Sequence, residues 1–217
     1  MKKYIYIGIS ALLIASTLGV YSYVVKASDS GALSPGTMAD DATVGTVAWS
    51  NPDNAKVSDN VYATAVLSNN FSHYLKATNF GFTIPTGATI NGIVVEIEGY
   101  LVATGGATQQ IKIIKGGTVG TTRKTTTFPV GAVNEAYKTV GSSSDLWGLS
   151  WTAEDINASN FGMVFYLGFA DDTPAGTWYV DHIRITVYYT NPITSLPSKM
   201  SINSGTLKVN SGTLQIQ

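Results

Sequence analysis

Apolar and polar residues alternate with a period of two through the middle of the chain. Between Ile90 and Leu101, Ile93, Val95 and Ile97 alternate with Val94, Glu96 and Glu98. Between Gln109 and Lys115, Ile111 and Ile113 alternate with Lys112 and Ile114. Between Val180 and Thr190, Ile183, Ile185, Val187 and Tyr189 alternate with His182, Arg184, Thr186 and Tyr188. A period of two is that of a strand with one buried and one wet face. The run from Phe161 to Phe169 is almost wholly apolar and predicts a central strand. Turn-forming groups separate these runs: Ser50-Asn51-Pro52-Asp53, Pro85-Thr86-Gly87, Gly105-Gly106, Gly116-Gly117 and Asp171-Asp172-Thr173-Pro174. Short strands at such spacing predict an all-β, antiparallel two-sheet sandwich. One helical turn is expected at Ala153 to Ala158, because Thr152-Ala153-Glu154-Asp155 has capping-box spacing with Asp in the Glu/Gln position.

The two ends of the chain follow other patterns. Asn203-Ser204-Gly205-Thr206-Leu207-Lys208-Val209 is followed at once by Asn210-Ser211-Gly212-Thr213-Leu214-Gln215-Ile216, and Met200-Ser201-Ile202 begins a degenerate earlier copy. Each unit reads as a very short strand and a tight Gly turn. Its apolar positions, Leu207, Val209, Leu214 and Ile216 among them, need a neighbour to cover them. An isolated tail is expected to stay disordered, and to order by docking on its own sandwich or by pairing between chains. The second course makes the tail a homo-oligomerisation element. At the other end, Lys2 and Lys3 precede an uncharged run from Tyr4 to Val25, and Val25-Lys26-Ala27 places small residues where a signal peptidase reads them. The competing reading is an uncleaved membrane anchor. The expected organisation is a signal peptide or anchor over residues 1–27 and a mature lead-in over 28–33. A sandwich follows over 34–190, then a linker over 191–199 and the β-repeat tail over 200–217.

Composition narrows the function. The chain has no cysteine, so disulfides, thiol chemistry and a lipoprotein anchor are excluded. Formal charge is −1 for the whole chain and becomes more negative once Lys2, Lys3 and Lys26 are removed. That balance argues against nucleic acid and anionic membranes as partners. A membrane contact is expected only if the N-terminal run stays uncut. The expected location is extracellular or on the cell surface.

Several segments together carry a resemblance: Val47-Ala48-Trp49-Ser50-Asn51-Pro52, Ser58-Asp59-Asn60-Val61-Tyr62-Ala63, Leu75-Lys76-Ala77-Thr78-Asn79-Phe80-Gly81-Phe82, Ile84-Pro85-Thr86-Gly87-Ala88-Thr89-Ile90-Asn91-Gly92-Ile93, Asp145-Leu146-Trp147-Gly148 and Val180-Asp181-His182-Ile183. From Ser34 to Thr190 the chain resembles an uncharacterised extracellular β-sandwich domain that recurs in phage-derived and environmental bacterial surface proteins. The resemblance implies a jelly-roll-like sandwich in a structural or virion-type protein, and it transfers no catalytic or binding residue.

The chemistry-bearing residues each have a plain reading beside a functional one. Glu96 and Glu98 share one side of a strand, roughly 6.5–7 Å apart along it, near the separation of an inverting glycosidase pair. Their place on the polar face of one strand favours a solvated face instead. His73 and His182 are the only histidines. Asp181 adjoins His182, but strand neighbours point to opposite faces, so the two pair only if the strand bulges. No Gly-x-Ser-x-Gly elbow occurs. Asp40, Asp41, Asp171 and Asp172 could hold a structural calcium ion, or serve only as turn formers; no other cofactor is expected. Trp147, Trp151 and Trp178 could form a sugar-stacking platform, or fill the core. The expectation is a secreted or surface structural module, adhesive by self-assembly or by binding a surface polymer, without catalysis. A carbohydrate-binding module is the alternative, and a glycan-cleaving enzyme a remoter one.

Overall fold

The computed structural model describes residues 27–103, 108–128, 135–168, 175–192, 207–210 and 213–216. Its larger unit spans Val25–Pro192. In chain order this unit holds β1 (Ala27–Leu33), β2 (Thr37–Asp41), a 3-10 turn at Pro52–Ala55, β3 (Ala63–Leu67), β4 (Tyr74–Thr78) and β5 (Thr89–Ala103). There follow β6 (Thr108–Lys115), β7 (Thr118–Val119), β8 (Ala136–Gly141), α1 (Ala153–Asn157), β9 (Gly162–Gly168) and β10 (Gly176–Thr190). Every strand pair is antiparallel.

Two sheets result. In the first, β10 pairs with β5 along its length and β5 with β8; the other edge of β10 is shared by β1 and β3. In the second, the order is β2-β4-β9-β6-β7. The four pairs β3/β10, β4/β9, β5/β8 and β6/β7 are the rungs of one long hairpin, and successive rungs alternate between the sheets. The orders β3-β10-β5-β8 and β4-β9-β6-β7 are therefore those of a jelly roll, so the expected all-β, jelly-roll-like sandwich is the fold found. Its hairpin turns where Gly116-Gly117 joins β6 to β7. Both glycines have positive φ, 56° and 81°, the geometry a two-residue primed turn demands.

The core lies between the sheets. Ile93, Val95 and Ile97 from β5 and Ile183, Ile185 and Val187 from β10 all point into it and are fully buried. The apolar strand β9 lies between β4 and β6, and its outward residues Val164 and Tyr166 pack with Tyr74 and Ile114, so both of its faces are covered and it carries no polar alternation. The capping box forms as expected, with Thr152 Oγ1 accepting from the Asp155 N–H and Asp155 Oδ2 accepting from the Thr152 N–H. One boundary moves. The lead-in over residues 28–33 belongs to β1, which pairs with the last residues of β10, so the folded unit starts before Ser34.

The tail belongs to a separate unit. Within it β11 (Leu207–Asn210) and β12 (Thr213–Ile216) pair with each other, Leu207 opposite Ile216 and Val209 opposite Leu214. The last two repeats therefore form an antiparallel hairpin. Cross-strand partners share a face, so Leu207, Val209, Leu214 and Ile216 occupy one face and Lys208 and Gln215 the other. The N-terminal run and Met200 to Ile202 lie outside the described residues.

Candidate functional site

The tryptophan platform is corrected by burial. Trp147 is 1 % exposed and Trp178 0 %, so neither can stack on a ligand. Trp147 Nε1 donates to the Ile93 carbonyl at 3.0 Å, and Trp178 sits edge-on to Phe128 and Phe165 in the core. Trp151 is partly exposed, but its Nε1 donates to the Leu146 carbonyl, its ring meets Phe161 edge-on and Lys115 Nζ lies 5.4 Å from its centroid. The large indoles close the sandwich.

The calcium candidates are also occupied. Asp40 accepts from the Trp49 N–H and pairs with His73 at 2.8 Å. Asp41 accepts from the Thr43 N–H and pairs with Lys76 at 3.0 Å. Burial alone would raise the Asp41 pKa, but the bonds from Thr43 and Lys76 outweigh it and hold the carboxyl below its ordinary value. Both carboxylates have protein donors. Asp171 and Asp172 lie outside the described residues.

A different constellation occupies the outer face of the first sheet. At residue 181, β10 carries a bulge, with Val180 opposite Gly99 and His182 opposite Glu98. The extra residue is Asp181, 1 % exposed. Its Oδ1 accepts from the N–H of Asp59 at 3.3 Å, and Asn60 N–H also bonds the carboxyl, which fastens the segment before β3 onto the sheet. Gly99 beside the bulge has no room for a Cβ, which would overlap the Tyr179 carbonyl oxygen. This close approach of β5 to β10 sets Tyr100 against Tyr179, ring centroids 4.6 Å apart and nearly parallel at 9°. Tyr62 meets both edge-on, at 5.4 and 5.7 Å. Next along this face, Val66 on β3 and Val102 on β5 flank Thr177 and are 65 % and 50 % exposed.

Carboxylates border the tyrosines. Glu135 Oε2 accepts from the Tyr62 hydroxyl at 3.1 Å. Burial, then the negative charges of Asp181 and Glu98, push the Glu135 pKa up against that hydrogen bond. Burial, then Glu98 and Asp59, likewise raise Asp181 although two N–H groups oppose the shift. Burial and the adjacent Glu135 raise Tyr62. Glu96 does not lie on a solvated face as expected: its side chain is 19 % exposed and takes both Nε and Nη2 of Arg184, at 2.8 and 3.1 Å. The Arg184 guanidinium in turn lies 3.7 Å from the Tyr137 ring centroid. His182 has Ser34 Oγ on Nε2 at 2.8 Å and Tyr137 Oη on Nδ1 at 2.7 Å. Burial, with Arg184 adding to it, holds its pKa below the ordinary value, while Glu98 and Asp181 pull the other way. With both ring nitrogens engaged, His182 ties the end of β1 to β8.

Sequence reasoning passed over Tyr62, Tyr100, Tyr179 and Glu135. One signal was available: the buried positions run Trp178, Val180 and then Ile183, Ile185, Val187, a change from even to odd that requires an extra residue at the bulge. A second aromatic group lies on the outer face of the other sheet. Phe71 stacks on Tyr166 with centroids 5.4 Å apart, and Tyr74, Ile114 and Val164 pack under it as a small satellite core.

The raised carboxyls carry a testable linkage. A carboxyl whose folded pKa is raised binds protons more tightly when folded, so stability falls as pH rises from the unfolded value toward the folded one. For Asp181 that window opens at 3.8 and closes above its raised folded pKa. An Asp181→Asn variant keeps an oxygen acceptor for the Asp59 N–H without the charge. It is expected to gain stability relative to the parent as pH rises from about 4 to about 7. Denaturant melts at the two pH values check this; parallel losses in parent and variant would remove Asp181 from the linkage.

No family model matches the chain, and no curated protein matches it. Among solved structures, one titled "CBM4 structure and function" aligns with a TM-score of 0.32 and 14 % identity, covering 71 % of this chain and 93 % of that one.

Proposed function

We propose that the chain is a surface module without catalytic activity, whose outer face on the first sheet binds an extended polymer of sugar units. The observation that carries this reading is the placement of Tyr62, Tyr100 and Tyr179 beside exposed Val66 and Val102 on one continuous face. Sugar rings have apolar faces and hydroxyl edges. Tyrosine offers such a ligand a flat apolar body and a polar tip, and the neighbouring carboxylates accept hydrogen bonds from hydroxyls. Along β5 the face runs from Glu98 to Val102, about 13 Å, which suits a chain of units better than one small molecule. Export to the cell surface, read from residues 1–27, belongs to the same proposal.

The test is retention of the full chain on immobilised polysaccharides. Tyr179→Ala is expected to weaken retention at least about tenfold, equivalent to about 1.4 kcal/mol, with the fold intact by circular dichroism. Retention that survives both Tyr179→Ala and Tyr100→Ala would move the site elsewhere.

A second reading concerns assembly and rests on the tail. The β11–β12 register gathers Leu207, Val209, Leu214 and Ile216 on one face of a two-stranded sheet. Two strands bury little, and a second copy of the same hairpin offers a matching apolar face. Self-association through the tail would array the sandwich faces on a polymer and raise avidity.

A further inference from the structure

The charge around the tyrosines selects among polymers; this step rests on the polymer-binding reading above. Glu98 on β5, Asp181 in the bulge and Glu135 before β8 crowd one end of the tyrosine group, and the negative charges of Asp181 and Glu98 both act on Glu135. Asp59 in the segment before β3 adds a fourth carboxylate that acts on Asp181. Two of the cations nearby are engaged elsewhere. Arg184 gives two donors to Glu96, and Lys56, whose backbone bridges to that of His182, pairs with Asp53 at 2.8 Å. His182 holds both ring nitrogens in hydrogen bonds. Glu98 Oε2 and Glu135 Oε1 are enclosed and have no hydrogen-bond partner among the described residues.

This combination is one-sided. The faces of tyrosine rings attract cations, and carboxylates at low solvent exposure attract them more strongly still. An anionic polymer would be repelled from the same rim. A neutral polymer could donate hydroxyls to the carboxylates but would gain nothing from their net field. From this charge complementarity we infer that the polymer bound at the Tyr62–Tyr100–Tyr179 face carries protonated amines, as a deacetylated amino-sugar chain does. Its ring faces lie on the tyrosines and on Val66 and Val102, and its ammonium groups lie toward Glu98 and Glu135.

Calorimetric titration of the full chain with three oligomers tests this: the glucosamine hexamer, its N-acetylated counterpart and cellohexaose. At low salt the glucosamine hexamer should bind at least about tenfold more tightly than the two neutral hexamers, and added salt should shrink that preference. A Glu98→Gln/Glu135→Gln double variant should bring the glucosamine hexamer to within about twofold of the two neutral hexamers. If the double variant does not fold, the salt series on the parent decides. Equal or tighter binding of cellohexaose, or a preference unmoved by salt and by the double variant, overturns the amine inference and leaves the face as a neutral-sugar site. Binding unaffected by Tyr179→Ala, or no binding of any hexamer, overturns the underlying face reading instead.

Discussion

An Ile185→Asp variant is expected to lose the cooperative unfolding transition of the sandwich at room temperature. Ile185 is fully buried and lies in the middle of β10, the strand that carries most of the first sheet's pairing. Val95 is opposite it on β5 and Leu33 on β1. Truncating a buried Ile costs about 2–5 kcal/mol, and an unpaired buried carboxylate adds several more before it protonates. Their sum matches the whole stability of a typical domain, about 5–15 kcal/mol. The neighbouring position makes the control. Thr186 is on the outer face, half-buried between Ala32 and Val94, so Thr186→Asp should cost no more than about 1–2 kcal/mol. A strand slipped by one residue would exchange the two outcomes. Thermal melts of both variants decide, and an Ile185→Asp melt within a degree or two of the parent would mean that the phase of β10 is wrong.

That phase was readable because β5 and β10 each have one wet face, and their alternation survives in the sequence. The capping box at Thr152 and the Gly116-Gly117 turn were readable for the same reason: each is fixed by local chemistry over a few residues. The site was harder. Tyr100 and Tyr179 lie on β5 and β10 and Tyr62 just before β3, far apart in sequence, and singly each reads as an ordinary tyrosine of a β-protein. Only the pairing of β3, β10 and β5, with the tight approach at Gly99, brings them together. Asp181 misled for a related reason. A regular strand sends Asp181 and His182 to opposite faces, whereas the bulge buries both and turns a charged position into a clamp on the Asp59 segment. The indoles misled in the other direction. Trp147 and Trp178 could stack on sugars by chemistry alone, and burial, which a single residue type does not encode, removes them.

Replacing Leu207 and Leu214 together with Asp is expected to convert an associating protein into monomers with an intact sandwich. The hairpin register places Leu207 beside Ile216 and Leu214 beside Val209, so each substitution puts a charge within a cross-strand apolar pair. Burying these four side chains would contribute roughly 6–12 kcal/mol. Ordering the roughly eight strand residues costs about 8–16 kcal/mol for the backbone alone. The hairpin alone buries little of that surface, so a partner face would be needed to tip it toward order. A second hairpin of the same sequence would supply that face and bury its own apolar residues in return. The Asp pair removes the gain on both sides at once and adds like charges across the interface. Light scattering on the full chain and on the Leu207→Asp/Leu214→Asp variant, at several concentrations, reads the change in mass. Circular dichroism of the same samples should show the sandwich signal unchanged, since β11 and β12 belong to a separate unit from Val25–Pro192. A parent that stays monomeric at the highest concentration, with its tail resistant to proteolysis, would mean that the apolar face is covered within its own chain.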